Sequence, residues 1–141
     1  MKRYVYPLML LLLMSCGQKS QKIQEEDKMD APLAEIEFPE GTVHDFGVYH
    51  EKDTVTCNFL VHNPGKVPLV INQLETSCGC TEAFGPKKPI LEGQTDTIHV
   101  TYDGNGFYDG FWIKNVVVHA NVEKGTRVLT IHGSYYGNES E

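Results

Sequence analysis

The chain has 141 residues, of which 19 are acidic, 12 basic and 40% hydrophobic, with a formal charge of −7. These are the proportions of one small globular domain, and they exclude a disordered tail or a multi-span membrane protein. Lys and Arg form no cluster interleaved with aromatics, so the electrostatic term that drives binding to nucleic-acid phosphates is missing, and nucleic acid is not an expected partner.

Lys2 and Arg3 precede an apolar run from Tyr4 to Met14. That is the pattern of a secretory signal, too short for the about 20 apolar residues that cross a bilayer. The succession Leu13-Met14-Ser15-Cys16 resembles the lipobox of bacterial lipoproteins, in which a small residue precedes the lipid-modified cysteine. The resemblance implies cleavage of residues 1–15 and an acylated Cys16 as the mature N-terminus. Several acyl chains hold a protein on a bilayer where one does not. The mature chain keeps 19 acidic against 10 basic residues, net −9, so the anchor and not headgroup electrostatics provides attachment. Residues 17–34 are polar, with Glu25-Glu26-Asp27 at their centre and no sustained period. Together with Cys16 they read as a flexible tether with a reach of about 20–25 Å. The expected address is the bacterial cell envelope at the outer membrane, with the side of that membrane left open.

From Glu35 to Gly137 the chain breaks into short β-branched and aromatic runs separated by Gly, Pro, Asn and Asp, and nothing sustains a helical period. Early pieces at Glu35–Phe38 and Val43–Tyr49 are followed by Val55, Cys57, Phe59 and Val61 at period two, then by the turn Asn63-Pro64-Gly65-Lys66. Leu69 and Ile71 share one face of the next strand. Ile98, Val100 and Tyr102, then Val116, Val118 and Ala120, then Leu129, Ile131 and Tyr135 continue the alternation. Six to eight strands in this length predict an all-β, immunoglobulin-like sandwich of about seven strands over 35–137, followed by a short tail at 138–141. Phe59, Ile71, Val100, Val118 and Ile131 are the expected core, and Cys57 shares its apolar parity.

Asp45-Phe46-Gly47, Asn63-Pro64-Gly65, Pro68-Leu69-Val70-Ile71, Thr76-Ser77-Cys78-Gly79-Cys80-Thr81, Pro86, Pro89-Ile90, Glu92-Gly93 and Leu129-Thr130-Ile131-His132-Gly133 occur in that order. The succession resembles a bacterial lipoprotein family built on a domain of unknown function, whose domain is similar to the immunoglobulin-like modules of the Hydin and major-sperm-protein type. Ser-Cys-Gly-Cys-Thr is the most specific part. The resemblance implies the sandwich and export, and brings no catalytic residue.

Cys78-Gly79-Cys80 is the constellation that composition alone does not predict. Two thiols flanking a glycine either close a small disulfide ring or offer two ligands to a soft metal, and they do not complete a zinc site. His44, His50, His62, His99, His119 and His132 share no ligand spacing with a carboxylate or cysteine, and parity turns His99, His119 and His132 away from the core. The loop and strand around Phe107, Tyr108, Phe111 and Trp112 are an aromatic candidate platform for carbohydrate or protein. Thr54 and Thr97, within Asp53-Thr54-Val55 and Asp96-Thr97-Ile98, resemble acceptors of O-glycosylation in some exported bacterial proteins. No nucleophile elbow or triad is present, so no catalytic residue, confident metal site or cofactor is nominated. The leading expectation is a non-catalytic, lipid-anchored envelope module that binds a protein or glycan. The alternatives are a thiol-redox or soft-metal protein using Cys78 and Cys80, and a carbohydrate-binding accessory module.

Overall fold

A computed structural model of the chain describes residues 32–50, 54–104 and 109–137. Cys16, the tether before residue 32, and Phe107 and Tyr108 lie outside the described residues. Seven strands form: β1 (Val43–Tyr49), β2 (Val55–His62), β3 (Ile71–Thr76), β4 (Thr81–Phe84), β5 (Thr95–Tyr102), β6 (Gly110–Ala120) and β7 (Thr126–Tyr135). They make two sheets, one in the order β1-β7-β6-β3 and one in the order β2-β5-β4. The first strand pairs parallel to the last, and every other strand pairing is antiparallel.

Period-two alternation generates the core. Cys57, Phe59 and Val61 of β2, Ile98, Val100 and Tyr102 of β5, and Val116, Val118, Leu129 and Ile131 of β6 and β7 are all buried in one cluster between the sheets. Ile71 departs from expectation: it is only half-buried against this cluster. The reason is local. Leu69 precedes β3 and bridges to Ile90, and the register then shifts between Ile71 and Gln73, so Leu69 takes the fully buried position. Residues 35–38 are also not a strand. Isolated bridges from Ala34 to Val122 and from Glu37 to His62 attach the segment to the turn between β6 and β7 and to the end of β2. β4, a four-residue strand without a clear apolar period, takes the place of that expected strand in the count of seven.

Several segments that carry the family resemblance have an architectural role. In Asp45-Phe46-Gly47, the Gly47 N–H donates to Asp45 Oδ1 at 2.8 Å and Gly47 adopts φ +69°. This local turn accompanies the register irregularity of β1 between Asp45 and Val48. Gly133 is buried where a Cβ would meet Trp112 at 3.1 Å and the Gly47 carbonyl oxygen at 3.2 Å, so a larger residue there would push β1 and the Trp112 ring of β6 outward by a few tenths of an ångström. Asn63 is fully buried. Its Nδ2 donates to the carbonyls of Val67 and Ile90, both at 2.9 Å, and its Oδ1 accepts from the Gly65 N–H at 3.0 Å. Asn63 therefore shapes its own loop and ties it to the loop between β4 and β5 with a single side chain.

Candidate functional site

Ser-Cys-Gly-Cys-Thr forms the crossing from β3, the edge of one sheet, to β4, the edge of the other. Backbone bonds hold it at both flanks: Ser77 N–H donates to Asn115 O at 3.0 Å, Thr81 N–H to Cys78 O at 3.3 Å and Asp103 N–H to Cys80 O at 3.1 Å. The Thr76 hydroxyl also donates to Cys78 O at 3.1 Å. Cys78 and Cys80 are joined by a disulfide, with Cα atoms 5.2 Å apart. Both are half-buried, and Gly79 between them is exposed with open space above its Cα. Closing a three-residue loop removes little chain entropy, about 1.6 kcal/mol in the loop-closure model, so the bond contributes little to the fold as a whole. Thr81 is buried, and its hydroxyl lies 3.4 Å from Sγ of Cys78 and 4.0 Å from Sγ of Cys80.

Cys57 is the third described cysteine. It is a buried free thiol, and desolvation pushes it up to about 11, so it stays protonated and unreactive at neutral pH. Among the described residues no group of three His, Cys, Asp or Glu side chains comes together to hold a metal ion. The histidines are engaged locally and do not converge. His132 pairs with Asp45 at 3.3 Å, His119 with Glu75 at 3.2 Å and His99 with Asn58 at 2.7 Å. His50 donates to the carbonyl of Tyr136 at 2.8 Å.

The structure does not bring Phe111 and Trp112 together. Adjacent residues on β6 face opposite sides, so Trp112 turns inward, stacked on Tyr102 at 4.2 Å and tilted against Phe46 at 5.9 Å. Tyr49 joins them edge-on at 6.3 Å. Burial pushes the Tyr49 and Tyr102 hydroxyls up, for Tyr49 against the opposing influence of the Trp112 indole. Phe111 turns outward beside the His132 ring at 5.6 Å. Thr54 is exposed at the start of β2, whereas Thr97 is half-buried on β5.

Phe111 belongs to a surface that strand-by-strand reading missed. The outer face of the β1-β7-β6-β3 sheet carries Val43, Val48, Phe111, Ile113 and Val128, each between 49% and 65% exposed. The register places them on neighbouring rows: Val48 and Phe111 flank Ser134, Ile113 lies opposite His132, and Val128 opposite Val117. The outer face of the other sheet is more polar, with Thr56, Asn58, His99 and Thr101 opposite one another on β2 and β5, and Phe84 of β4, opposite His99, exposed beside them. The signal in the sequence was the loss of alternation in β6, where Phe111, Trp112 and Ile113, then Val116, Val117 and Val118, run apolar on both parities.

The fold has relatives among solved structures. A protein of unknown function from Porphyromonas gingivalis W83 superposes with a TM-score of 0.62 at 16% identity, over 72% of this chain and 46% of that one. The chain therefore spans less than half of that neighbour. A PapD-like domain of human CEP192 superposes at 0.52 with 12% identity, over 76% of this chain and 87% of that one. VesC, a secreted serine protease of Vibrio cholerae, reaches 0.52 at 10% identity, over 73% of this chain and 23% of the protease. These likenesses establish a PapD-like, immunoglobulin-like sandwich and nothing about activity. No curated protein matches the sequence. Residues 36–135 match the model of a family of proteins of unknown function, DUF1573, and the chain belongs to that family.

Proposed function

We propose that the chain is a non-catalytic interaction module of the bacterial cell envelope, anchored through acylated Cys16 to the outer membrane, and that it binds a protein through the outer face of the β1-β7-β6-β3 sheet. The observation that carries this reading is the asymmetry of the two outer faces. One is mainly polar, with Phe84 as its large exposed apolar side chain, while the other presents Val43, Val48, Phe111, Ile113 and Val128 to solvent, and exposed apolar patches of this kind mark contact surfaces. The patch is aliphatic with one phenylalanine. Sugars are held by stacked aromatic rings and dense hydrogen bonding, so the chemistry favours a protein over a glycan. The mature chain's net charge of −9 favours a partner whose apolar patch has a basic rim.

Detergent extracts of native envelopes, run on native gels, test the reading. The wild-type chain is expected in a complex larger than its own mass that dissociates as salt is raised. Phe111→Lys/Ile113→Lys is expected to migrate alone with unchanged circular dichroism. A double variant that stays in the complex would overturn the assignment of this face.

A further inference from the structure

We propose that the Cys78–Cys80 disulfide is a reversible redox site that exchanges two electrons with a dithiol, with Thr81 holding the sulfur that leaves. Four observations converge on this chemistry, independently of the interaction face. Cys78 and Cys80 are partly exposed, and Gly79 between them is exposed with open space at its Cβ position, so the segment is open to an incoming thiolate. The ring spans three residues, and both cysteines are already held by the backbone bonds of Ser77, Thr81 and Asp103. Opening the ring therefore leaves the two thiols side by side, ready to re-form the bond. The buried Thr81 hydroxyl lies 3.4 Å from Cys78 Sγ and donates to it more strongly once that sulfur carries charge. Cys57 is buried and does not divert the exchange.

The step balances as follows. One thiolate of the dithiol attacks Sγ of Cys80, a bond forms between those sulfurs, and the Cys78–Cys80 bond breaks with its electron pair leaving on Sγ of Cys78. The Thr81 hydroxyl donates to that thiolate. The second thiolate of the dithiol then attacks its own partner sulfur and expels Cys80. The dithiol becomes a disulfide, and its two protons end on Cys78 and Cys80. The reverse sequence reoxidises the pair. A three-residue ring that contributes little to the fold is reducible by ordinary thiol couples, unlike the structural disulfides of secreted proteins.

The test uses the full chain carrying Cys16→Ala, so that Cys57, Cys78 and Cys80 are the thiols counted. The protein is oxidised, then mixed at pH 7 and without denaturant either with dithiothreitol or with a reduced Cys-X-X-Cys protein, quenched with an alkylating agent and analysed by mass. Two alkyl groups are expected, on Cys78 and Cys80, with unchanged far-UV circular dichroism. Reduction by the small dithiol alone, or by both, identifies which kind of donor the disulfide admits. Thr81→Val is expected to slow reduction about tenfold, and Thr81→Ser, which restores the hydroxyl, to recover the wild-type rate. Resistance to both donors until denaturant is added would overturn the proposal, as would loss of fold on reduction. Equal rates for wild type, Thr81→Val and Thr81→Ser would overturn the role of Thr81.

Discussion

Asn63→Ala should be among the most damaging single changes in this domain, although it removes no charge and no apolar side chain. The wild-type side chain is fully buried and makes three hydrogen bonds to backbone groups. Losing them forfeits about 1 kcal/mol each, and a buried backbone group left without a partner costs a further 1–3 kcal/mol or so. The carbonyl of Ile90 keeps its bond from the Leu69 N–H, so the penalty falls on Gly65 N–H and Val67 O. With both unpaired groups at the low end of that cost the total is about 5 kcal/mol, close to the whole margin of a domain near the lower end of the usual range. Urea unfolding, followed by circular dichroism and by the fluorescence of Trp112, the single tryptophan, should show the midpoint falling by about 2–3 M. Asn63→Asp sharpens the test, because an ionised carboxylate would face the two carbonyls that Nδ2 now serves. Its folded-state pKa is raised, so its stability is lost as pH climbs above about 4, and its deficit relative to wild type should be smaller at pH 4 than at pH 7.5. A loss under about 1 kcal/mol for Asn63→Ala, or a deficit for Asn63→Asp that does not grow with pH, would refute the reasoning.

Gly133→Ala should destabilise by about 1–3 kcal/mol in the same assay, because its Cβ would crowd Trp112 and the β1 backbone. Cys57 gives a pH signature: its thiol is raised from 9.0 to about 11 in the folded chain, so above pH 9 the unfolded state ionises first. Stability should fall between pH 9 and pH 11 by an amount on the order of 2–3 kcal/mol, and this part of the fall should be missing in Cys57→Ala. Intact mass of the envelope-extracted protein should show loss of residues 1–15 and added acyl chains, and Cys16→Ala should abolish both. An unacylated mature N-terminus elsewhere would contradict the anchor.

The sandwich was legible because β2, β5, β6 and β7 each carry a core set of apolar residues at period two, which places Phe59, Val100, Val118 and Ile131 inward without knowledge of the partners. Where alternation fails, legibility fails with it. Ile71 lies beside a register shift, β4 is too short to show a period, and residues 35–38 are recruited by isolated bridges that only tertiary neighbours create. The buried knot at Asn63 was hidden because asparagine before Pro-Gly reads first as a turn residue. The candidate sites divide the same way. Cys78-Gly79-Cys80 stood out by composition, but the Thr81 hydroxyl beside its sulfurs depends on the chain entering β4. The apolar outer face is assembled from single residues of β1, β6 and β7, and it emerges only when the parallel pairing of first and last strands sets them side by side.

Docking through the outer face is tested most directly by photo-crosslinking in intact envelopes, with benzoylphenylalanine replacing Ile113 on the apolar face or His99 on the polar one. The account predicts one discrete crosslinked protein from position 113 and none from position 99. Excess wild-type chain should suppress that crosslink, and excess Phe111→Lys/Ile113→Lys should not. Equal crosslinking from both faces, or no crosslink from position 113, would contradict it.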